Sequence, residues 1–301
     1  MTEAQGPLIS VIVPAYNYAH LLPRALESVL AQRAPWMELI VVDDGSTDET
    51  ARLLADYATR HRELLAISQA NAGAAAARNR GVRLARGRYA LLLDADDELL
   101  PDALQSLRAT VARHPEAGTV LGAQVSVYPD GRERLRAPTR VPVASPLQLS
   151  KRYLLQKRIA ISHGSSLFRR DLLLQRPYPE SLRGGEDVPV FVHMLVSAPV
   201  VTTSAALARI HKHRDSLRHD RQNEEQRALS MIDEVFASLP VECQPLRDRY
   251  ASQRYLSLFR AALQAGDRAA ARRFYQAAWR LNRLQTLRWS YLRKAVRLSL
   301  R

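Results

Sequence analysis

Three aspartates follow an apolar run in residues 91–97, whose sequence is Leu-Leu-Leu-Asp-Ala-Asp-Asp. The run predicts a buried strand that delivers Asp94, Asp96 and Asp97 to one edge of a sheet. Carboxylates so close together repel one another and raise one another's pKa, so they need a cation or another positive partner. Oxygen ligands of this kind suit Mg²⁺ or Mn²⁺ together with substrate phosphates. One alternative stays open, in which Asp97 and Pro101 begin the helix that follows.

The elements that would position these carboxylates alternate between apolar strands and amphipathic helices. Because the strands are continuous apolar runs, they predict a mostly parallel sheet covered by helices. Ligands of such sheets bind at the carboxyl ends of the strands. We expect strands over residues 8–13, 38–42, 64–68 and 88–93, helices over 21–30 and 73–84 and after a cap at Asp48, and a buried helix followed by a buried strand within 188–208.

The predicted strand ends bring aromatic and acidic residues to one rim of the sheet. Tyr16 offers a ring on which a base could stack, and Asp44 could accept a hydrogen bond from a ring N–H. The aspartates of residues 94–97 could hold a metal on a diphosphate. Together these groups describe a pocket for a nucleotide diphosphate. The alternative is that they are turn residues, which suits residues 43–46 (Asp-Asp-Gly-Ser) well.

Three segments resemble, in order and spacing, the signatures of the family-two inverting glycosyltransferases of the GT-A fold, of the type that builds bacterial cell-surface glycans. They are residues 10–17 (Ser-Val-Ile-Val-Pro-Ala-Tyr-Asn), 41–48 (Val-Val-Asp-Asp-Gly-Ser-Thr-Asp) and 93–97 (Leu-Asp-Ala-Asp-Asp). The resemblance implies a nucleotide-sugar donor and a divalent metal, Mn²⁺ or Mg²⁺. The implied metal ligands are Asp94, Asp96 and Asp97, and the implied donor-nucleotide site comprises Pro14, Ala15, Tyr16, Asn17, Asp44, Arg78, Asp94, Ala95 and Asp96.

Arg78 belongs to this set because it would lie on a helix that flanks the nucleotide in the family pattern. A guanidinium there could meet a phosphate with two parallel hydrogen bonds. The alternative is a helical arginine that is simply solvated.

A second acidic pair follows two glycines in residues 184–187 (Gly-Gly-Glu-Asp), ahead of an apolar helical run. Two glycines let the backbone bring a carboxylate close to a ligand. Inverting transfer needs one base, which takes the proton of the acceptor hydroxyl. The family resemblance implies that Asp187 is this base and that Glu186 shapes the acceptor site. The alternative is a helix start, where acidic residues are favoured.

A basic cluster, residues 209–216, follows the next predicted strand. It resembles the Arg-x-His segment after the Glu-Asp pair of many family members, where the histidine can complete the metal or diphosphate site. The spacing from Arg209 favours His211 over His213 as a ligand, and imidazole suits Mn²⁺ better than Mg²⁺. A solvated histidine is the alternative. Residues 163–170 resemble the segment before the Glu-Asp pair and could line the acceptor side of the cleft.

The net charge of +14 is concentrated at one end of the chain. Residues 246–301 carry 14 Lys and Arg against two Asp, and their apolar residues repeat at helical spacing with a break at Gly266 and Asp267. Basic amphipathic helices with aromatic residues commonly lie in a membrane interface, so we expect contact with an anionic membrane. The alternative is that the apolar stripe packs on the catalytic domain. No zinc-finger spacing or RNA-binding signature is present, so we expect no nucleic-acid partner.

The compartment and the mode of transfer are predicted from smaller signals. One cysteine, Cys243, excludes an internal disulfide and fits a reducing compartment. Residues 1–7 show no secretory signal pattern. We therefore expect a cytoplasmic location, at the inner face of the cytoplasmic membrane. Residues 285–289 (Gln-Thr-Leu-Arg-Trp) match a motif of processive synthases such as those for cellulose and hyaluronan, but the sequence shows no membrane span to extrude a polymer, so we expect non-processive transfer.

Together these features predict an α/β, GT-A-like catalytic domain over residues 1–218 and a basic α-helical region over 219–301. The predicted function is metal-dependent, inverting transfer of one sugar to a hydroxyl of a lipopolysaccharide, exopolysaccharide or other lipid-linked glycan. A sugar-phosphate nucleotidyltransferase would need a glycine-rich basic loop after the first strand, where this chain has residues 14–17. A non-catalytic nucleotide-sugar or nucleic-acid binding module would need dispensable carboxylates, whose charge hinders phosphate binding without a metal.

Overall fold

The structure is a computed structural model that describes residues 8–182, 184–212 and 223–299. Strands and helices alternate through the first half, as the sequence predicts. The strands are β1 Ile9–Ala15, β2 Met37–Asp43, β3 Leu64–Ser68, β4 Tyr89–Leu92, β5 Glu98–Leu99, β6 Thr119–Val127, β7 Glu133–Arg136, β8 Ser166–Arg169 and β9 Val200–His211. The helices are α1 Leu22–Leu30, α2 Thr50–Arg60, α3 Ala74–Leu84, α4 Ala103–Arg113, α5 Pro146–Ser150, α6 Arg170–Gln175, α7 Asp187–Ser197, α8 Glu224–Ala237, α9 Arg247–Gln264, α10 Arg268–Leu281, α11 Arg283–Thr286 and α12 Trp289–Ser299.

The chain divides into two compact units. The first comprises Met1–Val143, Arg158–Glu180 and His193–Leu217, and the second comprises Ala144–Lys157, Ser181–Val192 and Arg218–Arg301. The second unit therefore includes two segments that precede the predicted boundary at residue 218. That boundary itself falls outside the described residues.

Within the described residues, nine strands of the first unit form one mixed sheet in the order β3-β2-β1-β4-β8-β6-β9-β5, and β7 pairs with β6. β1 is parallel to β2 and β4, and β2 is parallel to β3. β8 is antiparallel to both β4 and β6, so β4 and β6 point the same way. The mostly parallel mixed sheet predicted from the apolar runs is confirmed. The carboxyl ends of β1, β2, β4 and β6 therefore face one rim.

The central strands are buried along almost their whole length, which explains why they are continuous apolar runs. Val11 and Val13 belong to the core that α1 helps to form, while Ile12 faces α3. A Cβ at Gly81 would lie 2.3 Å from Cγ2 of Ile12. Small residues in α3 thus set its distance from β1. The apolar face of α1 consists of Leu22, Ala25, Leu26, Val29 and Leu30, each burial stabilising the fold by about 1–3 kcal/mol.

Helix starts near the predicted site differ in part from the expectations. The N-cap position of α2 is Glu49 rather than the predicted Asp48, but Asp48 accepts a hydrogen bond from the backbone N–H of Thr50, the first residue of the helix, at 3.0 Å. The alternative in which Asp97 caps the next helix is wrong. β5 follows Asp97 directly, and α4 begins only at Ala103, with Asp102 at its N-cap. Asp97 is therefore available for a different role.

The second unit is helical, and α9 and α10 form its centre. Gly266 adopts a φ of 75° after α9, and Asp267 accepts a hydrogen bond from the Ala270 backbone N–H at 2.9 Å. The predicted break and new helix cap at this point are confirmed. Tyr291 and Ala295 of α12 pack against the apolar cluster of this unit, whose buried members are Leu256, Phe259, Ala262, Ala270, Ala271, Phe274 and Ala278.

In the described part of the chain, no helix combines the length and the apolar character needed to cross a membrane.

Candidate active site

The acidic segment after β4 forms a tight turn at the rim of the sheet. The Asp97 backbone N–H donates a hydrogen bond to the carbonyl of Asp94 at 3.0 Å. The guanidinium of Arg24 donates a hydrogen bond to the carbonyl of Asp96 and holds the middle of the turn. The three aspartates are thus fixed together at the position that the sequence predicts. Tyr18 lies near them, and burial together with the charges of Asp96 and Asp94 raises the pKa of its hydroxyl.

Asp94 pairs with a buried arginine. Nη2 of Arg78 lies 2.8 Å from Oδ1 of Asp94, and only 8% of the Arg78 side chain is exposed. Burial alone would raise the pKa of Asp94, but the Arg78 charge and hydrogen bond outweigh it and lower that pKa. The guanidinium also lies 5.7 Å from the centre of the Tyr178 ring. The alternative of a solvated helical arginine is therefore wrong, and Arg78 belongs to the acidic rim.

Asp97 is almost fully buried and meets His211. The His211 backbone N–H donates a hydrogen bond to Oδ1 of Asp97 at 2.8 Å, and its Nε2 lies 3.4 Å from Oε1 of Glu98. Burial and then the charge of Asp94 raise the pKa of Asp97 to about 8, against the lowering effect of the His211 N–H. The structure therefore places the backbone of His211 at the acidic turn and its imidazole beside Glu98, and its role as a ligand stays a prediction. His213 lies outside the described residues.

The fit of a divalent metal can be judged from this charge balance. Among the described residues, no group of three or more His, Cys, Asp and Glu side chains is arranged to hold a metal ion by itself. Burial, and then the charge of Asp94, raise the pKa of Asp97, and the nearby charge of Lys212 does not outweigh them. Oxygen ligands under mutual repulsion suit a hard cation that takes further ligands from water and a diphosphate. By their chemistry, the oxygen groups of Asp94, Asp96 and Asp97 match the ligands of such a cation, and a metal bound by them stays a prediction.

The ends of β1 and β2 are tied together beside the acidic turn. Asn17, at a φ of 57°, accepts hydrogen bonds through Oδ1 from the backbone N–H groups of Thr47 at 2.8 Å and Asp48 at 3.3 Å. Its own N–H donates to the Ser46 hydroxyl at 2.9 Å. These hydrogen bonds fix the backbone directly after Tyr16, and Tyr16 itself is 44% exposed. An exposed ring on a fixed backbone can serve as a stacking surface.

Asp44 is buried and organises the loop before α3. Its carboxylate accepts hydrogen bonds from the backbone N–H groups of Ala72 at 2.9 Å and Gly73 at 2.7 Å, and from Gln69 at 2.7 Å. A Cβ at Gly45 would lie 2.8 Å from the Asn71 backbone nitrogen, so only glycine fits there. The backbone of residues 43–46 forms a turn, in agreement with the alternative that these are turn residues. A carboxylate has about four lone-pair sites, so the predicted contact of Asp44 with a base stays a prediction.

His163 also belongs to this cluster, although its sequence pattern predicts no chemical role for it. Its Nε2 lies 3.0 Å from the Tyr178 hydroxyl. Burial, followed by the Arg78 charge, lowers the pKa of His163 to about 3, so the imidazole is neutral at physiological pH. Tyr178 is held in turn by Asn79, which bonds both its backbone N–H and its carbonyl at 2.8 Å.

The Glu-Asp pair lies in the second unit. Gly184 and Gly185 both have positive φ, at 100° and 75°, as their predicted role requires. Asp187 is the first residue of α7, and the Val188 N–H donates to the Gly185 carbonyl at 3.0 Å. Asp187 lies close to Lys157 and Arg254. Burial and the charge of Arg254 lower the pKa of Lys157, and the charge of Asp187 opposes this lowering. The helix-start reading and the catalytic reading of Asp187 both agree with this geometry.

Comparisons with known proteins fit this site. The family described as "Glycosyl transferase family 2" matches residues 10–175, more than half of the chain. Succinoglycan biosynthesis protein ExoO of Rhizobium meliloti is 34% identical over 195 residues, which is 60% of this chain and 53% of that protein. Chondroitin synthase of Escherichia coli is 44% identical over 104 residues, 35% of this chain and 15% of that protein. The chain thus spans about half or less of the length of these relatives.

Two solved structures share the fold at low sequence identity. S. aureus TarS 1–349 in complex with UDP-GlcNAc has a TM-score of 0.69 and 23% identity, covering 92% of this chain and 83% of that one. The mannosyltransferase PcManGT from Pyrobaculum calidifontis, with GDP-Man and Mn²⁺, has a TM-score of 0.53 and 20% identity, covering 97% and 84%. Both likenesses confirm the GT-A architecture expected from the three signatures. On the family match over residues 10–175, this chain belongs to glycosyl transferase family 2.

Proposed function

We propose that this protein is a metal-dependent, inverting, non-processive glycosyltransferase that moves one sugar from a nucleotide diphosphate to an acceptor hydroxyl. The observation that carries the proposal is the acidic turn. In it Asp94 is paired with Arg78, and burial with the charge of Asp94 raises the pKa of Asp97 to about 8. Arg78 pairs with Asp94, whereas Asp97 is buried close to Asp94, and a cation that accompanies a diphosphate would stabilise the ionised form of both carboxylates. The exposed Tyr16 ring on the same rim would stack on the base.

The division of labour follows from the charges. A divalent metal, Mn²⁺ or Mg²⁺, would be held by Asp94, Asp96 and Asp97 and would neutralise the departing diphosphate. His211 would complete the metal or diphosphate site, since its backbone is fixed to Asp97. The Arg78 guanidinium orients the Asp94 carboxylate and keeps it ionised.

The chemical step is a single displacement. The acceptor oxygen forms a bond to the anomeric carbon while the bond from that carbon to the diphosphate oxygen breaks, which inverts the configuration. The carboxylate of Asp187 takes the acceptor proton. Glu186, directly before it, shapes the acceptor site. This assignment rests on the family resemblance and on the two positive-φ glycines that present the pair.

The acceptor is proposed to be a bacterial polysaccharide or lipid-linked glycan. The relatives that support this class include a protein of succinoglycan biosynthesis and a chondroitin synthase, each matched over part of its length. The location proposed for the reaction is the cytoplasmic face of the membrane. The basic second unit supports it, because Leu284 and Trp289 are 81% and 74% exposed beside arginines.

Donor binding is tested with a thermal-shift panel of nucleotide sugars, with and without Mn²⁺. A donor raises the melting temperature by mass action, and the rise identifies both base and sugar. We expect a rise for at least one donor that is larger with Mn²⁺ and is lost in Asp96→Asn. A panel in which no nucleotide sugar stabilises the protein would contradict the proposal.

The proposed base is tested with Asp187→Asn. This variant should fold and bind the donor, yet its transfer rate should fall by about 10²-fold or more, because the amide cannot accept the proton. Asp248→Asn is the matched control, since Asp248 also lies in the first turn of a helix of the same unit. Radiolabelled sugar transfer measures both variants. If Asp187→Asn transfers as fast as Asp248→Asn, Asp187 acts only on its helix.

A further inference from the structure

A cavity lies in the first unit, and none of its lining residues belongs to the predicted nucleotide site. Its volume is about 300 Å³, and its walls come from β6, the start of β8 and the segments 136–139 and 160–162. Lys212, directly after β9, completes it. In the sheet, β8 and β6 lie on one side of β4 while β1 and β2 lie on the other. A ligand in this cavity is therefore reached from the side of the acidic turn opposite to Tyr16.

The cavity is lined by cations and hydroxyls without a carboxylate. The described residues of the wall include Arg136 and Lys212 but neither Asp nor Glu. Five hydroxyl groups and the amide of Gln124 accompany the two cations. Hydroxyls and amides both donate and accept hydrogen bonds, which matches the hydroxyl groups of a sugar. The hydroxyls belong to Ser126, Thr139, Ser162, Ser165 and Ser166.

Arg136 is oriented but not neutralised. Its Nε donates to the Ser126 hydroxyl at 2.9 Å, and its Nη2 donates to the Tyr128 hydroxyl at 2.9 Å. Among the described residues, neither Arg136 nor Lys212 forms an ion pair. The neighbouring Arg132 and Arg209, in contrast, pair with carboxylates at 2.7 Å and 3.3 Å. The wall therefore holds two cations that form no direct ion pair with a carboxylate of the described chain, although the charge of Lys212 reaches Asp94 and Asp97.

The floor of the cavity carries an unused hydroxyl. Ser166 is 1% exposed, and its Oγ has no hydrogen-bond partner among the described residues. A buried hydroxyl without a partner destabilises the folded state, so a ligand that supplies the partner gains affinity. Ser165 in the same wall already bonds Gln124 at 3.0 Å, which fixes that part of the surface. The polar groups are thus held in place before a ligand arrives.

The cavity also adjoins the acidic turn. Lys212 is close enough to Asp94 to lower the pKa of that carboxyl. His163, two residues before Ser165, belongs to the Arg78 and Asp94 cluster. A group bound here lies next to the proposed site of sugar transfer.

We propose that this cavity binds an acidic sugar of the acceptor, with its anionic group between Arg136 and Lys212 and its hydroxyls against the serine wall. The inference rests on the proposed glycosyltransferase function, whose acceptor it narrows to a glycan that carries a negative charge. A planar guanidinium binds a carboxylate or a phosphate with two parallel hydrogen bonds, and so it serves a uronic acid and a sugar phosphate alike. A volume near the lower end of small-ligand sites suits a single sugar residue.

The binding test uses glucuronic acid, glucose 6-phosphate and glucose as probes, titrated calorimetrically into the full chain. At least one acidic probe should bind about tenfold or more tightly than glucose, and the one that does identifies the carboxylate or the phosphate as the source of the charge. Arg136→Gln and Lys212→Gln should each weaken that binding about tenfold, and Arg136→Lys should weaken it less. Arg134→Gln is the matched control, because Arg134 lies on β7 outside the wall, and it should change nothing.

Ser166→Ala separates binding from folding. Removal of the unpartnered hydroxyl should leave the melting temperature of the free protein unchanged or raise it. It should still weaken the binding of the acidic probe. Glucose binding as tight as the acidic probes, or equal losses in Arg134→Gln and Arg136→Gln, would overturn the proposal.

The same variants distinguish this proposal from the proposed function. Arg136→Gln should keep the thermal shift produced by the nucleotide sugar with Mn²⁺. Loss of that shift in Arg136→Gln would assign the cavity to the donor and overturn its acceptor role. If an acidic probe binds through Arg136 while no nucleotide sugar shifts the melting temperature, the anionic cavity stands and the transferase function fails.

Discussion

At the scale of single residues, the candidate site is a problem of charge balance. The charge of Arg78 lowers the pKa of Asp94, whereas burial and the charge of Asp94 raise the pKa of Asp97 to about 8. His163 stays neutral in the same cluster because burial and Arg78 oppose its protonation. Asp94 is therefore ionised in the free protein, whereas a nearby cation would favour the ionised form of Asp97.

The pair of Asp94 and Arg78 gives a prediction at this scale. Asp94→Asn should lower the free energy of unfolding by about 1–3 kcal/mol, because the buried guanidinium loses a charged partner. The half-exposed state of Asp94 keeps the loss below that of a fully buried pair. Urea unfolding measures the change. Asp130→Asn is the control, since it breaks an exposed pair with Arg132 and should cost less than about 1 kcal/mol. Equal losses in both variants would contradict the role given to Arg78.

At the scale of elements, the rim stays rigid because polar side chains join neighbouring strands and loops. Asn17 links the end of β1 to the loop after β2, and Asp44 links β2 to the start of α3. At the opposite ends of the same strands, Glu38 on β2 accepts hydrogen bonds from the Ser10 hydroxyl at 2.6 Å and the Arg86 backbone N–H at 2.6 Å. The site is thus carried by strands that are fixed at both ends.

Glu38 gives a prediction on pH. Burial would raise its pKa, but the hydrogen bonds from Ser10 and Arg86 and the charge of Arg86 lower it below 4.5. A carboxyl whose pKa is lower in the folded than in the unfolded state stabilises the fold above the unfolded pKa, and this stabilisation is lost as the pH falls through the folded pKa. Glu38→Gln should therefore cost about 1–3 kcal/mol at pH 7 and less below pH 4.5.

Urea unfolding across pH 3–7 measures this difference, with the range chosen around that pKa. Glu49→Gln is the control, because Glu49 forms an exposed pair with Arg52 at one turn's spacing. It should change the free energy of unfolding by less than about 0.5 kcal/mol at either pH. If the loss in free energy of unfolding caused by Glu38→Gln is as large at pH 3 as at pH 7, the ionised carboxylate of Glu38 does not stabilise the fold.

At the scale of the whole molecule, the charge is distributed between two units of different chemistry. Residues 246–301 hold most of the excess positive charge, while the acidic turn lies in the first unit. Tyr291 and Ala295 pack inside the second unit, yet Leu284, Leu287, Trp289 and Val296 are exposed. Exposed apolar groups among arginines are typical of a surface that binds anionic lipid.

Liposome flotation tests this contact. The protein should float with phosphatidylglycerol vesicles and not with phosphatidylcholine vesicles, and salt should release it because exposed charges are screened. Trp289→Ala and Leu284→Ser should each weaken binding about tenfold, since each removes a large apolar side chain. Leu135→Ser is the control, because Leu135 is 65% exposed but lies in the first unit. Equal recovery with both lipids would contradict membrane contact.

Much of the fold could be predicted because its signals are local. The apolar runs place β1, β2, β3 and β4 within a few residues of their observed bounds, and Gly266 with Asp267 marks a true break between helices. The role of Asp97 was harder to predict, because a short β5 intervenes before α4 and no local pattern announces a strand of two residues. The alternative in which Asp97 caps the next helix is wrong for that reason.

Apolar periodicity and turn chemistry act over a few residues, so the amino-acid sequence was enough to predict the strands and helices of the first half. It was also enough to predict that carboxylates, an aromatic ring and small residues follow the strands at one rim. The contacts between charged groups, in contrast, depend on the folded chain. His211 reaches Asp97 across 114 positions of the chain, and Arg78 is buried against Asp94 rather than solvated. The cavity between Arg136 and Lys212 likewise exists only once β6, β8 and β9 are paired. Partners so distant in sequence are chosen by strand order and packing, and no local pattern encodes them.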